Sequence, residues 1–258
     1  MKPDEKEGWI IDLQDLESKI TKETKAILVN NPSNPCGSCF SKQHLLDVIA
    51  IADKHKVPII ADEVYHGLSY EEERPFVSMG HLTKDVPILA TGSISKIYLL
   101  PGWRCGWVIC YNNHGYFDKV LDNLGKHAMI QLHPTSLVQA ALPQILDTVP
   151  ESFFENLKGK LREASTYAYE RVGKIKGITP VKAQAAMYLF CMFDPEVFEG
   201  ISDDIDFCKK LLADQNCMIF PAQCFFSKNG FRLTICTSKE VIDDFATRLE
   251  AFCQKHYK

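Results

Sequence analysis

The sequence has no apolar run long enough to cross a membrane and no excess of positive charge. No hydrophobic stretch within the 258 residues approaches the roughly 18 residues of a membrane span. The polar start, Met1 to Gly8, contains no hydrophobic segment of the kind that a secretory signal requires. The formal net charge is −4, whereas nucleic-acid-binding proteins normally present a clustered basic face. These absences predict a cytoplasmic protein whose partners are neither membranes nor nucleic acids.

The chain also lacks a recognisable disulfide framework, although it contains ten cysteines. They are scattered, and several have apolar neighbours, among them Cys110, Cys191 and Cys236. This pattern predicts buried, reduced thiols. Cys36 and Cys39 form a C-x-x-C pair, but no second ligand pair completes a zinc site, so we predict no bound metal. A redox role for this pair stays open as the minor alternative.

What the chain does contain is an alternation of apolar runs and amphipathic segments. The apolar runs predict strands at 26–30, 57–61, 86–90 and 107–110, and Ser41 opens a helix after the first of them. Continuous apolar strands between amphipathic segments are typical of an α/β fold, with a mainly parallel sheet covered on both faces. Ligands of such sheets bind beyond the carboxyl ends of the strands.

The alternation breaks down near residue 150, which predicts a domain boundary. Periodicity predicts helices at 116–130, 136–148, 151–174, 203–215 and 239–256, and strands at 187–193 and 231–236. Because helices and strands no longer alternate strictly in the second part, we expect an α/β domain over 1–150 and a smaller α+β domain over 151–258.

Lys96 is the first residue that suggests chemistry. It follows the third predicted strand closely, among hydroxyls and apolar side chains. A lysine in that position is placed for desolvation, which favours the neutral amine and makes it competent for Schiff-base formation. Taken alone, a solvated surface lysine is the commoner explanation.

Asp62 and Tyr65 suggest a pyridine cofactor. Asp62 ends the second predicted strand, and Tyr65 follows it in the next turn. A pyridine ring that serves as an electron sink needs a carboxylate beside its nitrogen, and a phenol is a suitable donor to the ring's oxygen. The alternatives are a helix N-cap for Asp62 and a packed aromatic side chain for Tyr65.

Arg104 suggests a phosphate. It lies between Gly102 and Gly106, which favour a tight loop and a close approach of a ligand. The planar guanidinium suits a phosphate group, although an ordinary structural arginine is the alternative.

Five motifs occur in one order along the chain. They are the N-P-x-N-P-x-G turn at 31–37, A-D-E-V-Y at 61–65, S-I-S-K at 93–96, P-G-W-R-C-G-W at 101–107 and F-R-L-T-I at 231–235. Their order and approximate spacing resemble the class I/II aminotransferases, which are fold type I enzymes that use pyridoxal phosphate. In this reading Cys36 occupies a variable position of the turn, which accounts for the C-x-x-C.

The resemblance implies a fold and a reaction. Residues 1–150 would form the latter part of the large cofactor-binding domain, and 151–258 the C-terminal small domain. The reaction would move an amino group between amino acids and 2-oxo acids, in an enzyme whose full-length relatives are homodimers. The family's N-terminal portion has no counterpart before Ala26, so a truncated, non-catalytic form is an alternative. Another fold type I activity, such as a β-lyase, is a further alternative.

The resemblance also implies which residues bind pyridoxal phosphate. Lys96 would form the Schiff base and then move the proton between the substrate's α-carbon and the cofactor. Asp62 would pair with the pyridine nitrogen, and Tyr65 and Asn34 would hydrogen-bond the phenolic oxygen. Ser93, with Ser95 in the same loop, and Arg104 would hold the phosphate.

The resemblance further implies how the substrate binds. Arg232 would hold the α-carboxylate in a bidentate pair, with Asn34 beside it. The resemblance is closest to the tyrosine-specific subgroup, so an aromatic substrate is expected. The segments that carry it are 30–42, 186–190, 221–225 and 250–257. Ser93 and Ser95 suit the general family's S-x-x-K loop, whereas small apolar residues are common there in the tyrosine-specific subgroup.

Overall fold

The computed structural model describes residues 1–4 and 7–258, apart from the side chain of Gln131, and these form two compact units. Unit 1 comprises Met1, Ile11–Pro32 and Cys39–Leu157, and unit 2 comprises Lys2–Ile10, Ser33–Ser38 and Lys158–Lys258. Each unit has its own sheet and its own hydrophobic core.

The regular elements confirm most of the predicted strands and helices. The strands are β1 (Lys2–Asp4), β2 (Gly8–Ile10), β3 (Ile27–Asn30), β4 (Ile59–Asp62), β5 (Ile88–Ser93), β6 (Gly106–Tyr111), β7 (Ile178–Val181), β8 (Tyr188–Phe193), β9 (Phe220–Pro221) and β10 (Gly230–Thr234). The helices are α1 (Leu13–Ser18), α2 (Lys42–His55), α3 (Ile94–Ile97), α4 (Asp118–Gln131), α5 (Ser136–Thr148), α6 (Glu151–Val172), α7 (Asp204–Gln215) and α8 (Lys239–His256). Four short strands, β1, β2, β7 and β9, and the short helices α1 and α3 were not predicted.

Unit 1 contains a four-stranded sheet in the order β3-β4-β5-β6. The first three strands are parallel, and β6 pairs antiparallel with β5, which confirms a mainly parallel α/β sheet. Helix α2 begins at the N-cap Ser41, whose hydroxyl accepts the His44 N–H. Its apolar stripe, centred on Leu45 and Ile49, packs in the same core as Ile27, Ile59 and Ile88 of the strands.

The prediction that both faces of this sheet are covered was wrong. Alternate side chains of the strands differ sharply in burial: Ile59 is fully buried, whereas Leu28 is 67% exposed. Ile60 and Leu89 lie on the same face as Leu28 and are half-buried. The strands are apolar, as predicted. The described elements of unit 1 bury one face of the sheet well and the other face only in part.

Unit 2 contains a four-stranded antiparallel sheet in the order β7-β8-β10-β9. One face packs with residues of α6, α7 and α8 in a core rich in phenylalanine, where the rings of Phe207 and Phe231 stack 5.7 Å apart. The opposite face carries a smaller cluster that includes Trp9 and Phe190. Helices bury one face of the sheet, so the other is available for polar side chains such as Arg232.

The proline-rich turn at 31–37 ends at Gly37, where a side chain would lower the stability of the folded chain. Its Asn31–Pro32 and Asn34–Pro35 peptide bonds are cis. Gly37 has a φ of +67°, and an added Cβ would lie 2.4 Å from the Tyr188 carbonyl oxygen. The turn therefore fits against the start of β8 only with glycine at this position.

We predict that Gly37→Ala lowers the free energy of unfolding by about 3 kcal/mol or more, because a left-handed alanine costs about 1–2 kcal/mol and the clash adds to it. Gly200→Ala is the matched control, since Gly200 has a φ of +68° with open space around its Cβ position. The control should cost about 1 kcal/mol in urea denaturation. Equal losses for the two variants would contradict this account of the turn.

No helix in the described part of the chain is long and apolar enough to cross a membrane.

Candidate active site

The polar ends of the parallel strands lie side by side in unit 1. Asn30 of β3 aligns with Asp62 of β4, and Asp62 aligns with Thr91 of β5. Because β6 runs antiparallel to β5, its first residue, Gly106, lies opposite Ser93 at the same edge of the sheet. The turn that carries Arg104 immediately precedes β6. The carboxyl edge of this sheet therefore gathers the predicted residues of unit 1.

Asp62 is held by three neutral donors. Asn30 Nδ2 donates to Oδ2 at 3.1 Å, Thr91 Oγ1 donates to Oδ1 at 3.3 Å, and the backbone N–H of Val64 also reaches Oδ1 at 3.3 Å. The alternative of a helix N-cap is wrong, because the chain after Asp62 forms a turn and not a helix. These bonds fix the orientation of the carboxyl group.

Tyr65 and Lys96 are neighbours in unit 1. Tyr65 is 3% exposed, so its side chain is packed, as the alternative interpretation predicted. Lys96 Nζ lies 5.6 Å from the centroid of the Tyr65 ring. The structure thus brings the predicted nucleophile and the predicted phenol donor together.

A single helical turn, α3, carries Lys96 away from the end of β5. Ser93 caps this turn, and its Oγ accepts the backbone N–H of Ser95 at 3.1 Å. Ile94 and Ile97 are buried and fix the turn, whereas Lys96 is half-buried. The S-x-x-K spacing therefore places one serine hydroxyl at the cap and the amine one turn further on.

The loop geometry expected around Arg104 was only partly right. Arg104 itself adopts the left-handed conformation, with a φ of +50°, whereas neither neighbouring glycine does. Gly106 instead permits a close approach of strands, because a Cβ there would lie 2.9 Å from the Gly92 carbonyl oxygen. Arg104 is exposed, and its Nη1 donates to the Pro101 carbonyl oxygen at 3.1 Å. Most of the guanidinium therefore faces solvent.

In unit 2 the structure pairs Arg232 with Asn34. Nη1 of Arg232 donates to Oδ1 of Asn34 at 2.8 Å, across 198 residues of sequence. The guanidinium carbon lies 4.5 Å from the Tyr188 ring, 4.8 Å from Phe220 and 5.1 Å from Phe225. Its Nε is buried and has no hydrogen-bond partner among the described residues. An unsatisfied, buried, charged donor among aromatic rings is suited to an anion.

Three polar residues that support the site were not predicted. Asn30 and Thr91 hold Asp62, and Glu63 fixes the chain that follows β4. Glu63 is 8% exposed and accepts the Ser78 hydroxyl at 2.8 Å and the Met79 backbone N–H at 2.9 Å. Burial raises the pKa of Glu63, and these hydrogen bonds only partly offset that effect. The signal for Asn30 and Thr91 was available, because Asn30 ends the predicted strand before the one that precedes Asp62, and Thr91 directly follows the predicted strand after it.

The thiols of the C-x-x-C are poorly suited to redox chemistry. Both are buried, and burial raises the pKa of Cys36 to about 12 and that of Cys39 to about 11. Cys191 is buried as predicted, but Cys110 is half-buried and Cys236 is exposed. Cys236 lies beyond the last paired residue of β10, and Cys110 lies on the edge strand β6, so neither has the cover that its apolar neighbours suggested.

Comparison with solved structures defines the fold class. The crystal structure of tyrosine aminotransferase from Leishmania infantum superposes with a TM-score of 0.93 at 28% sequence identity, covering 99% of this chain and 62% of that one. The architecture is that of the fold type I aminotransferases, in agreement with the resemblance of the motifs.

Sequence comparison then defines the family. The family model for class I and II aminotransferases matches residues 2–249, and the chain belongs to this family. It is 37% identical over 251 residues to tyrosine aminotransferase of Mus musculus, covering 97% of this chain and 55% of the mouse protein. It is 35% identical over 253 residues to an S-alkyl-thiohydroximate lyase of Arabidopsis thaliana, covering 97% of this chain and 54% of the lyase. The chain thus spans about half the length of these relatives.

We predict that Glu63→Gln removes part of the pH dependence of stability. Because the pKa of Glu63 is raised in the folded chain, the folded state holds this proton more tightly than the unfolded state. The contribution to stability is therefore complete below the ordinary glutamate pKa and is lost as the pH rises through the raised value. Urea denaturation across that interval should show a smaller decline for the variant than for the parent chain.

Glu72→Gln is the matched control, because Glu72 is exposed. It should leave the pH profile of stability unchanged. Parallel profiles for the parent chain and Glu63→Gln would contradict the assigned burial effect.

Proposed function

We propose that this chain carries the lysine, carboxylate and arginine groups of a pyridoxal-phosphate-dependent aminotransferase site, acting on an aromatic, tyrosine-like amino acid. The observation that carries the proposal is the alignment of Asp62, Ser93 and the Lys96 and Arg104 turns at one edge of the unit 1 sheet. The activity of the family supports it, and so does the similarity to tyrosine aminotransferase.

The residues of unit 1 suit the cofactor. Pyridoxal phosphate, when bound, supplies an electron sink for the substrate's α-carbon. The Asp62 carboxylate is oriented by Asn30, Thr91 and the Val64 backbone N–H, and it would pair with the pyridine nitrogen. The Tyr65 hydroxyl would donate to the phenolic oxygen, and the exposed guanidinium of Arg104 with the Ser93 and Ser95 hydroxyls would hold the phosphate.

Lys96 would provide the acid–base chemistry. Its half-buried side chain extends from a short helical turn whose isoleucines are buried, which limits its range of motion. The Nζ amine would bond the cofactor in the resting state. Once the substrate's own amine had displaced it from the cofactor, the freed amine would take the proton from the substrate's α-carbon.

The residues of unit 2 suit a substrate carboxylate. The buried Nε of Arg232 lacks a partner among the described residues, and a carboxylate oxygen would satisfy it. The rings of Tyr188, Phe220 and Phe225 lie around the guanidinium and limit its movement. Asn34 accepts one of its N–H groups, which leaves the rest of the fork for recognition. The predicted role of Asn34 at the cofactor remains a prediction.

We further propose that unit 1 corresponds to the latter part of the family's large domain and unit 2 to the small domain. By analogy with the family, the working form would be a cytoplasmic homodimer. A β-lyase activity is the second candidate, because Lys96, Asp62 and Arg104 serve either chemistry and a lyase is among the relatives.

We predict that pyridoxal phosphate added to the purified chain produces a visible absorption band that Lys96→Ala abolishes. After unbound cofactor has been removed, a band that remains reports an amine of the protein bonded to the cofactor. Lys22→Ala is the control, because Lys22 is exposed and should leave the band intact. A band of equal strength in all three proteins would contradict the assignment of Lys96.

We expect half-reactions of the cofactor-loaded chain to distinguish the substrates. Tyrosine and phenylalanine should bleach the band and yield 2-oxo acids, and alanine should react more slowly. A cysteine conjugate that yields pyruvate and ammonia would identify a β-lyase instead. An intact band with every amino acid would favour a form that binds the cofactor but does not catalyse the reaction.

A further inference from the structure

Asp204 is a buried carboxylate with no role in the chemistry described so far. It is the first residue of α7 and has 0% exposure. The helix does not need it as a cap, because its neighbour Asp203 already accepts the Asp206 backbone N–H at 2.8 Å. A buried carboxylate is costly unless hydrogen bonds satisfy it, so its partners indicate its purpose.

The partners of Asp204 lie at the two ends of one loop, 222–229. Its Oδ2 accepts the backbone N–H of Gln223 at 2.9 Å, and its Oδ1 accepts Nε2 of Gln223 at 2.9 Å. Oδ1 also accepts the backbone N–H of Asn229 at 3.4 Å. Gln223 lies just after β9 and Asn229 just before β10, so one carboxylate joins the two strands through the ends of their connecting loop.

The loop has an unfavourable backbone. Phe226 and Asn229 adopt left-handed conformations, with φ values of +55° and +58°. A bulky aromatic residue rarely adopts this conformation, and the Phe226 side chain is fully exposed, so no packing compensates for it. Backbone bonds from the N–H groups of Phe226 and Ser227 to the carbonyl oxygens of Gln223 and Ala222 hold the first turn of the loop. The bonds of Asp204 add the connection between the two ends of the loop.

Residues of strand β9 and of the loop that Asp204 binds lie next to the side chain of Arg232. Phe220 on β9 is the cross-strand partner of Arg232, and Phe225 lies in the turn that contains Gln223. Both rings contact the guanidinium, 4.8 Å and 5.1 Å from its central carbon. A displacement of the loop would therefore change the plane in which Arg232 presents its buried Nε.

We propose that Asp204 is a positioning residue for the Arg232 carboxylate site: it holds the 222–229 loop so that Phe220 and Phe225 fix the guanidinium for a bidentate pair with the substrate. This inference rests on the proposed function, because it assigns Asp204 to the recognition of an amino acid's α-carboxylate. The residue would act on substrate affinity through geometry, without touching the substrate.

The test uses nuclear magnetic resonance of the Arg232 Nε–H group in the 15N-labelled chain. The signal is assigned by its loss in Arg232→Lys, and 3-phenylpropanoate serves as the carboxylate probe, with 3-phenylpropanamide as its uncharged counterpart. The variants are Asp204→Asn and the neighbouring control Asp203→Asn, which keeps a capping side chain. The ligand-free signal reports the position of the guanidinium among the rings, and the titration reports carboxylate affinity.

Asp204→Asn should move the ligand-free signal away from its ring-shifted position and weaken 3-phenylpropanoate binding by roughly tenfold, within the range of coupling for groups in one network. Asp203→Asn should change neither. If Asp204→Asn fails to fold, Gln223→Ala removes only the side-chain bond and should shift both readouts in the same direction by less.

A lower thermal midpoint for Asp204→Asn, with signal and affinity unchanged in the folded protein, would overturn the inference. Unchanged readouts for a folded Gln223→Ala would overturn it where Asp204→Asn does not fold. A signal that responds to Asp204→Asn in a parent chain that does not bind 3-phenylpropanoate would contradict the carboxylate role of Arg232, and hence the proposed function, while supporting the positioning of the ring stack.

Discussion

The register of three parallel strands is the constraint on which the unit 1 site depends. Pairing of β3, β4 and β5 places Asn30, Asp62 and Thr91 in one row at the carboxyl edge, where the two neutral side chains hold the carboxylate between them. A slip of one residue in β4 would turn Asp62 to the opposite face of the sheet. Because β5 leads directly into the Lys96 turn, the same register also sets where the amine begins. Backbone pairing therefore sets the arrangement of these side chains.

In unit 2 the guanidinium of Arg232 is partly shielded from water and makes hydrogen bonds through only some of its N–H groups. Alternation along β8 and β10 sends Leu189 and Phe231 into the helical core and leaves Phe190 and Arg232 on the other face. Aromatic rings there restrict the guanidinium and Asn34 satisfies one N–H, but Nε stays without a partner among the described residues. Burying an unsatisfied donor costs about 1–3 kcal/mol, which a bound carboxylate would recover.

Sequence reasoning found elements with a strong local signal and missed those that depend on distant chain. Helix α8 was predicted with its observed bounds, because its apolar periodicity is long and uninterrupted. Strand β7 was missed because it is only four residues long and contains Pro180, which an edge strand tolerates. The family motifs predicted Lys96 and Asp62 as site residues. No local pattern reveals the bond between Arg232 and Asn34 or the bonds of Asp204 to its loop, because these contacts form only after folding.

The partly uncovered face of the unit 1 sheet belongs to a chain that spans about half the length of its curated relatives.

The central claim is that the strand-edge geometry alone makes Lys96 the lysine that bonds pyridoxal phosphate. The most direct measurement is borohydride trapping of the cofactor on the purified chain, followed by peptide mapping of the modified lysine. The account predicts the label on Lys96, at cofactor concentrations that leave exposed lysines unmodified. A label distributed over surface lysines, with Lys96 unmodified, would contradict it.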